Sequence, residues 1–207
     1  ADVPMQFYTM LFIPSTSQQN MFSPRKEPGL KLFARKVLIE EYNKGLLPEY
    51  LQFVHGVVDS EDLPLSVNRE SIQATRVMAS LKKTVTRKVL SELKRMTKRD
   101  REKYLKIFEE FGSHIKQGLV MQPDDKTDLE PLLFFQTTHD DDQTQYYSLD
   151  EYVERMDDNQ DDIYYIVADD YASGHRSPHL DAFRQRDIEV LYFTHPVDAM
   201  LPMGLTD

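Results

Sequence analysis

Cysteine is absent from the 207 residues, which excludes disulfides, thiol catalysis and cysteine-ligated metal or iron–sulfur centres. No run approaches the ~18 consecutive apolar residues that span a bilayer. No basic-then-apolar leader is visible, so neither a membrane segment nor a secretory signal is expected. The seven glycines are scattered and build neither a Walker loop nor a dinucleotide fingerprint. There is no Gly-x-Ser-x-Gly elbow. The histidines form no metal set: His175 and His179 are four apart, but Ser177 and Pro178 start a helix between them. Nothing pairs two carboxylates across a cleft, so a self-sufficient enzyme is not expected. What is present is a globular composition, 40% hydrophobic and 29% charged, long enough for one domain or two small ones.

The net charge of −10 conceals a split. Residues 1–120 carry 20 Lys and Arg against 14 Asp and Glu, whereas residues 121–207 carry 5 against 21. A change of sign that abrupt points to two structural units with different surfaces, 1–120 and 121–207. Within the first, Lys82 to Lys106 holds 11 basic and 3 acidic residues. The basic residues fall between apolar helix positions and read as a solvated face. No stacking aromatic motif accompanies them and the acidic half would repel a polyanion, so no nucleic-acid partner is expected.

The hydrophobic pattern predicts strands at Gln6–Ile13, Lys31–Ile39 and Leu51–Val58, separated by Pro- and Gly-containing gaps. The first gap carries Met21 and Phe22, read either as core under the loop or as an exposed docking point. Leu81, Val85, Val89 and Leu93, widened by Val77 and Met78, mark a long helix. A second helix is expected from Thr97, with Asp100 as its capping-box-like partner, its apolar face at Tyr104, Ile107, Phe108, Phe111 and Ile115 and its stop at Gly118. The second unit reads as β-α-β-α-β: strand Leu132–Thr138, helix Ser148–Met156 with a capping box of Ser148 and Glu151, strand Ile163–Ala168, helix Ser177–Arg186 and strand Glu189–Thr194. That order implies a small, mostly parallel sheet, and the whole chain reads as mixed α/β (α+β).

One polar constellation stands out, in DSEDLPLSVNRESIQ, Asp59 to Gln73. Arg69 lies in the first turn of a helix, Asn68 or Ser66 is a natural N-cap, and Gln73 shares the face of Arg69 one turn on. Helix N-termini present unpaired N–H donors and favour anions, so a cation and an amide there suit a phosphate. An ion pair of Arg69 with Asp59, Glu61, Asp62 or Glu70 is the competing reading.

The same stretch, FVHGVVDSEDLPLSVNRESIQ at residues 53–73, closely resembles the signature of the heat-shock protein 90 family. LFIPS, GLKLFARKVLI, LPEYLQF, SLDEYVERM, QDDIYYI, SPHL and EVLYF continue the resemblance along the chain, in the family's order and across its middle domain. The later motifs resemble the bacterial HtpG branch, while RKVLI and GVVDSED also resemble the mitochondrial paralogue. The resemblance implies a ribosomal protein S5 domain 2-like αβα layer unit, a helical linker and a smaller three-layer αβα unit. It implies an ATP-dependent, homodimeric stress chaperone whose N-terminal domain binds ATP with Mg2+ and whose C-terminal domain dimerises. Arg69 would reach the γ-phosphate and Gln73 would order the same loop. Ser66, Asn68 and Glu70 would support that loop, and Phe22 would be a docking contact. Ser66 and Asn68 stand where the family has Asn then Ser. Gln19 stands where relatives place an aromatic, and it takes no role. Implied partners are the chaperone's other two domains, client proteins and co-chaperones, in the cytoplasm or, alternatively, an organelle interior. No metal site of the chain's own, no membrane contact and no ATP hydrolysis by these residues alone are expected.

Overall fold

The computed structural model describes residues 6–16, 27–63 and 76–205. By its contacts the chain divides into a unit up to Leu93 and one from Lys94 onward. The packing boundary therefore falls inside a helix, while the charge changes sign nearer residue 120.

The first unit carries a four-stranded sheet. Strands β1 (Phe7–Phe12), β2 (Leu30–Ala34), β3 (Val37–Asn43) and β4 (His55–Ser60) lie in the order β1-β4-β2-β3. β4 is central, antiparallel to β1 and parallel to β2, so both of its edges are paired. Gly56 lies opposite Leu11 at φ +141°, and a Cβ there would sit 2.1 Å from the Met10 carbonyl oxygen. Only glycine lets β1 cross so close. Leu30, Leu32, Ala34 and Val58 are buried from the sheet, and Met78, Leu81, Val85, Val89 and Leu90 are buried from helix α1 (Arg76–Arg99). The i, i+4 stripe read from the sequence is this buried face.

Two expected strands are corrected. Lys31–Ile39 is a hairpin, not one strand: the chain reverses at Arg35 and Lys36, with Ala34 paired to Val37. Both turn residues have left-handed φ, 50° and 68°. Such two-residue turns ordinarily carry Asn-Gly, and with neither residue present the apolar run reads straight through. Left-handed backbone costs roughly 1–2 kcal/mol per non-glycine residue. Leu51–Val58 is also two pieces. Pro48 opens a 3-10 turn at Glu49–Leu51, and the strand begins only at His55.

In the second unit, α2 (Arg101–Met121) starts at Asp100, whose side chain accepts from the Lys103 N–H. Asp100 is thus the cap itself, not the partner of a cap at Thr97. Gly118 does not stop the helix; its carbonyl accepts from Gln122 N–H at 2.8 Å, a turn further on. A short helix α3 (Lys126–Leu129) leads to β5 (Phe134–Phe135), which pairs antiparallel with β6 (Tyr147–Ser148). Helix α4 (Leu149–Arg155) has the capping box expected of Ser148 and Glu151. β7 (Tyr164–Val167) and β8 (Val190–Phe193) are parallel, but Thr137 bridges antiparallel to Leu191. The sheet is therefore mixed rather than mostly parallel. Between β7 and β8 run α5 (Tyr171–His175), capped by Asp170, and a 3-10 turn at Pro178–Leu180. Helix α6 (Asp181–Arg184) follows and closes where Asp187 takes φ 55°. The expected helix Ser177–Arg186 is these last two short pieces.

The core of this unit contains a charge. On α2, Lys116 shares the inward row of Phe108 and Gly112, four residues apart, and its side chain is only 3% exposed. Its Nζ is 2.7 Å from Asp198 Oδ1, itself fully buried, and 4.8 Å from the centre of the Phe135 ring. Asp198 Oδ2 also accepts from the His195 backbone N–H at 3.0 Å. Burial pulls the Lys116 ammonium below the ordinary lysine range, and the Asp198 charge opposes that pull. Burial works against ionisation of Asp198, but the contacts from His195 and Lys116 outweigh it and hold its carboxyl below the usual carboxylate range. The pair ties the segment Pro196–Met200, and helix α7 (Leu201–Leu205) after it, to α2.

Asp198→Asn strands an ammonium in that core and is expected to cost about 3–5 kcal/mol in urea unfolding at neutral pH. Lys116→Met with Asp198→Leu, which removes both charges, should recover most of that loss. The folded pKa of Asp198 lies below its unfolded value, near 3.9. Its contribution is therefore present above that value and disappears as pH falls through the folded one. An acid-unfolding profile of Asp198→Asn should lack this component; equal acid slopes in both proteins would refute the assignment.

Candidate functional site

Arg69, Gln73, Ser66, Asn68, Glu70 and Phe22 all lie outside the described residues. What the structure does define is the frame that leads to them, at the exit of β4. The parallel ladder ends where Ala34 pairs with Ser60, which is fully buried. Beyond it the chain is held from two sides. From the hairpin turn, Arg35 N–H donates to the Ser60 carbonyl at 3.2 Å and Arg35 Nε–H to the Glu61 carbonyl at 3.0 Å. Lys36 N–H donates to Asp59 Oδ1 at 3.1 Å. From the start of β1, Gln6 N–H donates to Asp62 Oδ2 at 2.9 Å, and the Gln6 carbonyl accepts from Glu61 N–H at 3.1 Å. Leu63 is buried. Two of the carboxylates weighed as partners for Arg69, Asp59 and Asp62, thus each accept a backbone N–H through one oxygen.

On the far side, α1 is described from Arg76. Arg76, Lys83 and Arg87 lie at i, i+7 and i+11, share one face, and are exposed; Lys82 and Lys88 are exposed beside them. Lys88 Nζ stands 5.0 Å from the Phe7 ring centre. This face favours anions. The other face of β1 exposes Tyr8 (67%), Met10 (73%) and Phe12 (56%), an apolar row of the kind that marks contact surfaces.

The second unit has grooves of its own, which the sequence reading missed because their walls come from segments far apart in the chain. One, of about 630 Å3, lies outside the carboxyl ends of β7 and β8, where open parallel sheets bind ligands. Val167, Asp169, Ser173, His179, Thr194 and His195 line it. A second, about 590 Å3, is walled by His114, Gln117, Met121, Pro196 and Met200. Neither gathers convergent charges. His175 and His179 are separated as expected: His175 stacks on Tyr171 and meets Tyr192 Oη at 3.3 Å, while His179 faces the first groove. Tyr192 is packed in the sheet core, and Tyr165 stacks on Phe193. Among the described residues, no three His, Cys, Asp or Glu could hold a metal ion, and no helix is long and apolar enough to cross a membrane.

The sequence profile of the Hsp90 protein family matches residues 1–207. The chaperone protein HtpG of Francisella tularensis is 41% identical over 203 residues, covering 98% of this chain and 32% of that protein. HtpG of Photorhabdus laumondii is 40% identical and that of Yersinia pestis 38%, each over 202 residues, 98% of this chain and 32% of the relative. The chain therefore spans about a third of the length of these relatives. Among solved structures, the middle domain of a putative heat shock protein of Plasmodium falciparum superposes with a TM-score of 0.82 at 25% identity, covering 99% of this chain and 79% of that one. A match along the whole sequence, carried by the same mixed α/β architecture, shows that the chain belongs to the Hsp90 chaperone family and has the fold of its middle domain.

Proposed function

We propose that this chain is the middle domain of an ATP-dependent, homodimeric chaperone and that it lends Arg69 to ATP held in the N-terminal domain. ATP and its Mg2+ belong to that domain, and dimerisation belongs to the C-terminal domain. The chain's contribution is one guanidinium, placed against the γ-phosphate as negative charge redistributes during transfer to water. Gln73 orders the loop, Ser66 and Asn68 satisfy the N–H donors at the helix start, and Glu70 adds a carboxylate favourable to that helix end. Phe22 is a docking contact with the neighbouring domain. The observation that carries this reading is the family match along the whole chain, with the Arg69 signature inside it. The pinned exit of β4 supports it, because a finger reaching into another domain needs a fixed root.

A second reading has support of its own. The exposed apolar row Tyr8, Met10 and Phe12 and the basic face of α1 are surfaces suited to client proteins and co-chaperones, so the domain serves as a binding module as well. The bacterial relatives favour a cytoplasmic location.

In the full-length chaperone, Arg69→Ala is expected to lower ATP turnover by at least about 10²-fold, the lower end of what one transition-state donor is worth. ATP affinity, measured by titration calorimetry, should not change. Unaltered turnover would remove Arg69 from the chemistry. Added to the isolated nucleotide domain, this chain should raise hydrolysis and its Arg69→Ala form should not; alone it should hydrolyse none. Lys83→Glu with Arg87→Glu should weaken partner binding while basal ATPase persists. A loss of ATPase with binding intact would count against a partner surface on α1.

A further inference from the structure

The hairpin turn between β2 and β3 is an unusual choice of residues. Its two positions both take left-handed φ, the conformation for which Asn-Gly is the comfortable pair, yet they are Arg35 and Lys36. Strained backbone of this kind persists where something else requires it. The turn itself gains nothing from an arginine. The side chain does: its Nε–H reaches the Glu61 carbonyl at 3.0 Å.

That carbonyl is the first one past the sheet. The ladder between β2 and β4 ends at Ala34 and Ser60, and backbone contacts of the turn reach no further than Ser60 and the Asp59 side chain. Arg35 alone in the turn extends the grip by one residue, onto the peptide whose orientation sets the direction in which the chain leaves the sheet. Arg69 follows eight residues later. Between a rigid strand end and a reacting group, a small rotation at the root becomes a large displacement at the tip, and misplacement by about 1 Å can cost 10²-fold in rate.

We infer that Arg35 is a positioning residue for the ATPase reaction: by holding the Glu61 carbonyl it aims the segment that carries Arg69. The inference rests on the proposed role of Arg69. It assigns to the β2–β3 turn a duty in turnover, beyond closing a hairpin.

The substitution that separates the two duties is R35N/K36G in the full-length chaperone. It installs the preferred turn pair, keeps both backbone donors and removes the Nε–H together with the exposed charges of Arg35 and Lys36. The expected result is a Tm equal to or above that of the parent, unchanged ATP affinity and KM, and a kcat lower by roughly 10-fold to 10²-fold. A purely structural turn predicts the same Tm or a higher one, but with full turnover. If the double variant proves less stable, Arg35→Met carries the test with the same readouts, since it keeps the aliphatic stem and Lys36 but has no donor. Parent-like kcat beside an inactive Arg69→Ala would overturn the inference and leave the role of Arg69 standing. Parent-like kcat in both would overturn that role too.

Discussion

The exit of β4 is the constraint on which the first unit turns. β4 is a central strand paired on both edges, with Gly56 admitting the close approach of β1 near its start and the pairing continuing to Ser60. Ser60 is buried, so the chain leaves the sheet from a fixed point. Each further grip there engages a group that would otherwise be satisfied by water: the Ser60 and Glu61 carbonyls by Arg35, and a backbone N–H each by Asp59 and Asp62. A hydrogen bond of this kind is worth about 1 kcal/mol, and an exposed one less, so none dominates stability. Their collective effect is directional. They hold residues 59–62 in one arrangement where the chain leaves the sheet.

The second unit depends on a different choice, a buried ion pair. Hydrophobic side chains at Lys116 and Asp198 would pack the same space with less desolvation cost. The charged pair instead demands one arrangement. Asp198 must sit where its two oxygens meet Lys116 and the His195 N–H, and the aromatic faces of Phe108 and Phe135 close round the ammonium. That fixes how Pro196–Leu205 lies on α2. A purely apolar contact would tolerate a slide along the helix, whereas a buried carboxylate with two donors would not.

How much of this was legible in the sequence follows from the range of each signal. The stripes of α1 and α2 are periodic over about three to four turns, and the structure buries the residues named for them except Val77 and Ile107, which are half-buried. Capping chemistry is local, and the box at Ser148 and Glu151 is present as read. The β2–β3 hairpin was not legible, because its turn lacks every residue that marks one. Its conformation is stabilised by acceptors some twenty-five positions away, on β4 and just past its end. The mixed sheet of the second unit was misread for the same reason: element order shows neighbours in sequence, and Thr137 meets Leu191 only in space. Lys116 falls among apolar positions and reads as a solvated charge until Asp198 is found beside it. The motif that carries Arg69 lies outside the described residues; the bonds of Arg35 and Gln6 to Glu61 and Asp62 ahead of it were not legible, because they join segments far apart in the chain.

The proposed division of the catalytic machinery has a consequence for control. If Arg69 contributes about 10²-fold or more to turnover, it supplies roughly 3 kcal/mol or more of barrier lowering only while the two domains are docked. On that proposal ATP binding would need the nucleotide domain alone and hydrolysis would need both, so the two would respond to different conformations. A partner that favours the docked state raises turnover in proportion to the population it adds, without touching the nucleotide. The surfaces open to such a partner on the first unit, the basic face of α1 and the apolar face of β1, lie on elements that frame the same segment. β1 pairs with β4 and follows directly on Gln6, and α1 continues the chain beyond Arg69. On the proposed function, binding there would bias the fixed exit of β4 as well as the docking of the domains.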